Sequence, residues 1–247
     1  MQTSLKVIKL DAIDSTNDYL KALSKKAALN EDIVVVARDQ TRGRGQRNAQ
    51  WYSEVGKSLS FSIFKKLSGV QVANQFAISF AVSVGVLTAL KQLDIPQLAI
   101  KWPNDILAGS KKIAGILIEN QLSGNHLVSA VIGVGLNVNN EDFPELPQAS
   151  SLRLQLGRTF NLDEVLSSVV TGISSELNAL STLHLDELQE RYERDLFRIN
   201  KISVFETPQQ ERWNGIIRGV SQQGKLLLER EDGEIHQFQL KEIKLCY

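Results

Sequence analysis

Residues 39–51 read Asp-Gln-Thr-Arg-Gly-Arg-Gly-Gln-Arg-Asn-Ala-Gln-Trp, which puts Arg42, Arg44 and Arg47 beside Gly43 and Gly45 in one loop ending on Trp51. Guanidinium groups are always charged and present a planar fork that matches carboxylate and phosphate. Glycine lets a ligand approach the main chain closely. Such a loop suits closure over a phosphate-bearing ligand, although the same composition also suits a solvated turn. It is neither of the common phosphate motifs. Gly43-Arg-Gly45 leads to Asn48 rather than to the third glycine of a dinucleotide fingerprint, and no Gly-Lys-Ser/Thr ending of a P-loop follows.

Three further segments are dense in unusual residues. Lys101-Trp-Pro-Asn-Asp105 packs a charge, an aromatic ring, a rigid turn and two polar side chains into one short stretch; a strand end with a capped turn reads the same way. Lys111-Lys-Ile-Ala-Gly-Ile-Leu-Ile-Glu119 is a strand whose Gly115 either packs closely or makes room for a flat ligand. Lys112 is within reach of that gap, or is an exposed strand-end lysine. Gly133-Val-Gly-Leu-Asn-Val-Asn139 is an apolar strand in which Asn137 faces a ligand or serves a turn.

These segments need elements to hold them. Residues 5–13 alternate as a strand, and Ser15 with Asp18 has the form of a capping box opening a helix through Leu20, Leu23 and Ala27. The β-branched run 33–37 is a buried strand, and 59–64 is another with Ser60 and Ser62 alternating. A long helix over 74–93 ends before Pro96. Strands follow at 100–102, 106–108, 112–119 and 127–134, with Gly109-Ser110 as a tight turn. Helices are expected over 162–180 and 185–196, with Asp163 and Asp186 near their positive ends. From about residue 202 short strands (202–205, 214–220, 225–229 and 235–240) and an Asp232-Gly233 turn indicate a small β-barrel. Helices scattered among mostly antiparallel strands make the class α+β.

Composition limits what this machinery serves. The chain has 247 residues, 28 basic and 28 acidic, so bulk electrostatic binding of nucleic acid is not expected and the arginines are a local device. Cys246 is the single cysteine, which excludes an intrachain disulfide and fits a reducing cytoplasm. His126, His184 and His236 are scattered, which disfavours a protein-built zinc or iron site. The uncharged run 68–90 holds Gln71, Asn74, Gln75, Ser79 and Ser83, and reads as a buried helix of a soluble protein rather than a bilayer span.

The order of motifs is more specific than any one of them. Asp14-Ser-Thr-Asn17, Gln40 with Gly43-Arg-Gly45 and Trp51, Lys101-Trp-Pro-Asn-Asp105, Lys112-Ile-Ala-Gly115 and Gly133-Val-Gly-Leu-Asn137 together resemble the biotin protein ligases. The resemblance covers most of the chain. It implies a mixed sheet flanked by helices, related to lipoate ligases and class II aminoacyl-tRNA synthetases, over residues 1–197. An SH3-like β-barrel would occupy residues 198–247. It implies ATP-dependent activation of biotin to biotinyl-5′-AMP, then transfer to a lysine of a biotin carboxyl carrier domain. ATP and biotin would be substrates, with Mg²⁺ arriving on ATP. Neither step needs an enzyme nucleophile; positioning and electrostatic stabilisation suffice.

Site roles follow from the same resemblance. Lys112 and Arg44 would be catalytic. Ser15, Thr16, Asn17, Gln40, Arg44, Gly45, Gln46, Lys112 and Gly115 would hold biotin. Arg44, Gln46, Arg47, Trp51, Asn104, Asp105 and Asn137 would hold the adenylate, with Asp105 a candidate Mg²⁺ ligand. The chain departs from the family pattern at Gln46, where a second arginine is usual, and at Asn48-Ala49. Arg47 would partly replace the lost charge, or the intermediate would be held less tightly. Because the Ser-Thr-Asn motif comes by residue 15, a DNA-binding helix-turn-helix of roughly sixty residues is not expected before it. A lipoate ligase of the same fold and a non-catalytic binding module are the rival readings. Monomer and homodimer are both compatible.

Overall fold

The computed structural model describes residues 6–27, 29–46, 49–180 and 185–247. Seven strands form the main sheet: β1 (Lys6–Ile13), β2 (Ile33–Gln40), β3 (Ser58–Lys66), β4 (Leu98–Lys101), β5 (Asp105–Ala108), β6 (Lys111–Ser123) and β7 (His126–Asn137), in the order β1-β2-β3-β7-β6-β5-β4. Only β1 and β2 are parallel; the other neighbours pair antiparallel. The strands expected from sequence are present, several of them longer, and Asn137 is the last residue of β7. Residue 5 lies outside the described residues.

The period-two pleat gives the sheet two unlike faces. On one face Val34, Leu59, Phe61 and Ile63 meet α2 (Phe76–Gln92) and α4 (Leu162–Ala179) in the main core. On the other face Ile33, Val35, Phe64 and Val131 pack on Leu20 of α1 (Thr16–Lys26). Beyond α1 this second face carries Gly133, Gly135 and Gly115 and is left open as a cleft.

The helical stretch Val72–Gln92, which contains α2, has the length and apolarity of a membrane span, but most of it is buried inside the molecule. Helix α2 crosses α4 with main chain almost touching main chain: a Cβ added to Gly85 would stand 2.7 Å from the Gly172 oxygen. The short α3 (Leu152–Leu156), capped by Ser151, was not expected from sequence. Helix α5 (Leu185–Arg194) follows as expected, with Leu188 and Tyr192 buried.

Five strands make the C-terminal sheet: β8 (Ile202–Glu206), β9 (Arg212–Val220), β10 (Leu226–Glu229), β11 (Ile235–Phe238) and β12 (Lys244–Cys246), in the antiparallel order β11-β10-β9-β8-β12. Strand β12, which carries Cys246, was missed in the sequence. This sheet does not have a separate interior. Phe205, Ile217, Val220, Leu226, Leu228 and Ile243 belong to the same buried cluster as α2 and α5.

The α2–α4 crossing has no space for a side chain. Gly172→Val is expected to lower stability by about 3 kcal/mol, the upper end for overpacking a core, read as the shift in urea denaturation midpoint. An unshifted midpoint would show that the helices can separate freely.

Candidate active site

Parallel pairing of β1 and β2 brings the first two motifs together. Ile13 stands opposite Gln40, and the pairing runs on past both strand ends, Thr41 N–H to Ile13 O at 3.0 Å and Arg42 N–H to Asp14 O at 2.9 Å. The Ser-Thr-Asn segment and the Arg/Gly loop therefore leave the sheet side by side. Gln40 Oε1 accepts from the Thr16 backbone N–H at 3.0 Å. Ser15 caps α1 by accepting from Asp18 N–H at 3.3 Å. The reciprocal half of the expected capping box is not made. The Asp18 carboxylate turns outward, accepting from Arg44 Nη2 at 2.7 Å and pairing with Lys21 at 3.1 Å.

The loop is a small hairpin. Trp51 N–H donates to Gly43 O at 2.9 Å, Gly45 N–H to Ala49 O at 2.6 Å, and Arg44 bridges Gln50. A Cβ on Gly43 would strike the Trp51 main-chain carbonyl across the hairpin, so glycine is required for the loop to close on itself. Arg47 and Asn48 lie outside the described residues. Gly115 and Gly135 stand opposite each other on β6 and β7, and the Trp51 indole rests on both. The gap expected to admit a flat ligand at Gly115 is thus partly filled by the chain's own tryptophan, and Trp51 Nε1 is buried without a partner.

Lys112 reaches this place through a bulge. Ile106 pairs with Ala114 but Leu107 with Lys112, so β6 has one extra residue there. Positions 112 and 115 of a regular strand face opposite sides; one inserted residue brings them to the same side. Lys112 Nζ accordingly lies 3.2 Å from a Cβ built on Gly115 and 5.7 Å from the Trp51 ring centroid. Asp105 Oδ1 holds it at 2.6 Å, and Asp105 Oδ2 lies 3.5 Å from Lys101 Nζ. Asp105, expected to hold nucleotide or Mg²⁺, is the shared counter-ion of two lysines. Asn104, also expected at the nucleotide, donates to Ile116 O at 2.7 Å and locks the β4–β5 turn onto β6. The Trp102–Pro103 bond in that turn is cis.

Two cavities meet at Lys112. The inner one, of about 250 Å³, is lined by Ser15, Thr16, Asn17, Gln40, Arg44, Gly45, Gln46, Trp51, Asn104, Asp105, Lys112 and Gly115, along with Gly133 and Gly135. Every expected biotin residue is in that wall. The outer one, of about 860 Å³, is more apolar; Asn137, Phe143, Pro144, Leu146 and Pro147 contribute to it. Gln50, Trp51 and Lys112 line both. Of the expected adenylate set, Asn137 lies in the wall of the outer cavity alone, which it shares with Trp51, and its Nδ2 donates to Ser150 O at 3.0 Å. Segment 142–149, which walls the outer cavity, drew no attention in the sequence. Its two prolines beside Phe143 and Leu146 were the available signal.

The inner cavity ends in neutral hydrogen-bonding groups. Thr16 Oγ1 lies 2.7 Å from Ser62 Oγ, which donates to Asn17 Oδ1 at 2.6 Å. Asn17 Nδ2 donates to Glu119 Oε2 at 2.9 Å. Glu119 also accepts from Lys21 at 2.8 Å and lies 3.3 Å from Arg44 Nη2. Sequence reading missed both Ser62 and Glu119. Burial pushes the Glu119 carboxyl up, but hydrogen bonds from Lys21 and Asn17 and the charges of Lys21 and Arg44 outweigh it and hold the carboxyl below the usual range.

The site is thus a cleft with a neutral head end and a cationic throat that opens onto a second, more apolar cavity. The model of the biotin/lipoate A/B protein ligase family matches residues 10–137. The bifunctional ligase/repressor BirA of Escherichia coli K12 is 30% identical over 243 residues, covering 97% of this chain and 74% of the relative. The biotin–[acetyl-CoA-carboxylase] ligase of Paracoccus denitrificans is 28% identical over 222 residues, covering 87% of this chain and 90% of the relative. The solved biotin protein ligase from Aquifex aeolicus in complex with biotin and ATP superposes with a TM-score of 0.79 at 27% identity, covering 98% of each chain. The chain belongs to the biotin/lipoate A/B protein ligase family.

A carboxyl whose folded pKa is depressed stabilises the fold above its unfolded value, about 4.3 for glutamate, and that contribution fades as pH falls below it. The difference in denaturation midpoint between wild type and Glu119→Gln is therefore expected to be widest at neutral pH and to shrink below pH of about 4. A constant difference across that range would mean that the Glu119 charge carries none of it.

Proposed function

We propose that the protein is an ATP-dependent biotin protein ligase. It joins biotin to a lysine of a biotin carboxyl carrier domain by way of biotinyl-5′-AMP. One observation carries the reading: Lys112 stands where the inner and outer cavities meet, so a carboxylate in one and a phosphate in the other would share its charge.

Biotin enters the inner cavity with its ureido ring toward Ser15, Thr16, Asn17 and Gln40 and its carboxylate toward Arg44 and Lys112. ATP enters with its base in the outer cavity, walled by Trp51, Asn137 and segment 142–149. The carboxylate oxygen attacks the α-phosphorus, the bond to the β-phosphate oxygen breaks, and pyrophosphate leaves. Lys112 and Arg44 meet the negative charge on the carboxylate and phosphate oxygens; preorganised charge in a partly dry site is the larger part of such catalysis. The carrier lysine, as free amine, then attacks the acyl carbon, AMP leaves, and the amine gives up a proton. Gly45 and Gln46 keep the loop against the cavity, which restrains the mixed anhydride from water.

Mg²⁺ fits ATP better than it fits these side chains. Asp105 is neutralised by two lysines, and among the described residues no group of three metal-binding side chains occurs. No step is derived through a protein-held ion. A cytoplasmic location agrees with the single cysteine and with a carrier-protein acceptor. We place the unit boundary at residues 197/198, where Leu196 bridges Ile100 of the main sheet and Ile199 bridges Ile217 of the C-terminal sheet.

Biotin-dependent exchange of pyrophosphate into ATP tests the reading, with lipoate as the parallel substrate. Exchange with biotin alone is expected, and no exchange with either would refute it. In the same assay Lys112→Ala should lower the rate by roughly 10²–10³, the scale for losing one preorganised charge; full activity would remove Lys112 from the mechanism.

Gln46 lines the inner cavity, and its carbonyl closes the loop turn by accepting from Ala49 N–H at 3.1 Å. A side-chain charge can thus be added without changing the turn. Gln46→Arg is expected to slow release of biotinyl-AMP about tenfold, as a charge-assisted hydrogen bond is added. Equal release rates in wild type and variant would show that position 46 does not touch the adenylate.

A further inference from the structure

Glu119 lines neither cavity, yet the hydrogen-bonding character of the inner one depends on it. The side chain follows Gly115 and Leu117 on the same face of β6, beneath the start of α1. Its carboxylate is ionised and has no proton to give, so it is an acceptor only. Asn17, almost wholly buried, lies between Glu119 Oε2 at 2.9 Å and Leu117 O at 3.4 Å on one side and Ser62 Oγ at 2.6 Å on the other. Two acceptors on one side fix the amide: Nδ2 faces Glu119 and Oδ1 faces Ser62.

The remaining protons then have only one arrangement. Ser62 has a single hydroxyl proton and must give it to Asn17 Oδ1. Ser62 Oγ lies 2.7 Å from Thr16 Oγ1, so the proton in that contact belongs to Thr16. The alternative acceptor, Gln40 Oε1, is farther at 3.1 Å and already takes the Thr16 backbone N–H. With its only proton committed to Ser62, the Thr16 hydroxyl offers nothing but lone pairs to the inner cavity.

We infer that Glu119 is a positioning residue that sets the direction of this chain and thereby makes the head end of the cavity an acceptor for ligands that present N–H groups. The inference rests on the ligase reading and deepens it. A ureido ring has N–H donors to offer; a dithiolane ring has none. Glu119 thus acts on ligand choice through Asn17, Ser62 and Thr16 without touching the ligand.

The isosteric Glu119→Gln isolates this role. A glutamine has one acceptor oxygen, which Lys21 and Arg44 claim by charge. Its amide nitrogen is then left facing Asn17 Nδ2. Asn17 must turn over, the hydroxyl protons reverse, and Thr16 no longer presents free lone pairs alone. In ATP–pyrophosphate exchange, Glu119→Gln is expected to raise the KM for biotin about tenfold, the scale of a mismatched buried hydrogen bond. The KM for ATP and kcat at saturating biotin are expected to stay within about twofold. Thr16→Val should raise the biotin KM comparably, and the double variant should show much less than the product of the two effects, as residues of one network do.

A biotin KM unchanged in Glu119→Gln would overturn the inference, as would equal rises in both KM values or strictly multiplicative effects in the double variant. Loss of the folded circular dichroism spectrum in Glu119→Gln would also overturn it, by making Glu119 a residue of stability. Wild-type exchange with biotin separates the two levels. If it is absent, the ligase reading falls and this inference with it; if it is present and the variants behave as wild type, only the role of Glu119 falls.

Discussion

Three absent side chains govern this structure. Gly115, Gly133 and Gly135 lie on one face of two neighbouring strands, with Gly115 directly opposite Gly135 and Leu117 opposite Gly133. Any Cβ at Gly133 would strike Asn17, and any at Gly135 would strike Trp51. A cleft exists there because the sheet's bare main chain forms its floor, and other elements lay their side chains on that floor. The head-group residues come down from the start of α1, and the loop tryptophan comes from beyond β2. The opposite face of the same strands is filled in the ordinary way by α2 and α4. The pleat lets one sheet be a packed core on one side and a binding floor on the other.

Charge follows a similar logic. The described cations at the throat have carboxylates within reach: Arg44 has Asp18 and Glu119, and Lys112 has Asp105. Such pairs stabilise little at partly exposed positions. Their use is to hold long, flexible side chains in place before a ligand arrives, so that less ordering remains to be done on binding. An incoming anion need only compete for a partner that is already oriented. Asp105 divides its charge between the ammonium groups of Lys101 and Lys112.

Legibility in the sequence followed the kind of residue involved. Glycine, proline, tryptophan and arginine in unusual company were visible, and the cleft residues among them were identified before any fold was known. Single polar residues within strands were not. Ser60 and Ser62 alternate as a solvent-facing row would, yet both are buried, because the face they occupy is covered by α1 and the loop. Glu119 closes an apolar run and reads as the point where a strand meets water; only the pairing of β6 with β7 beneath α1 reveals it as a half-buried acceptor. Asp18 was read as half of a helix cap because local sequence contains no trace of Arg44 across the cleft. The parity change at Ile113 was equally hidden. A bulge is a property of pairing, and the strand sequence alone puts Lys112 and Gly115 on opposite faces.

The C-terminal sheet bears on the cleft through the turn that carries Asp105. Trp102 Nε1 donates to Gly224 O at 3.0 Å in the loop between β9 and β10, and Lys101 lies 5.5 Å from the Tyr247 ring centroid at the chain's end. The same five-residue turn delivers Asp105 to Lys112 and is fastened to β6 by Asn104. The lysine at the meeting of the two cavities is therefore held by a carboxylate whose own turn is clamped from both sides, by the main sheet and by the C-terminal one. Because the two sheets share one buried cluster, loosening the smaller would loosen the clamp. The C-terminal sheet belongs to the construction of the site even though none of its residues enters either cavity wall.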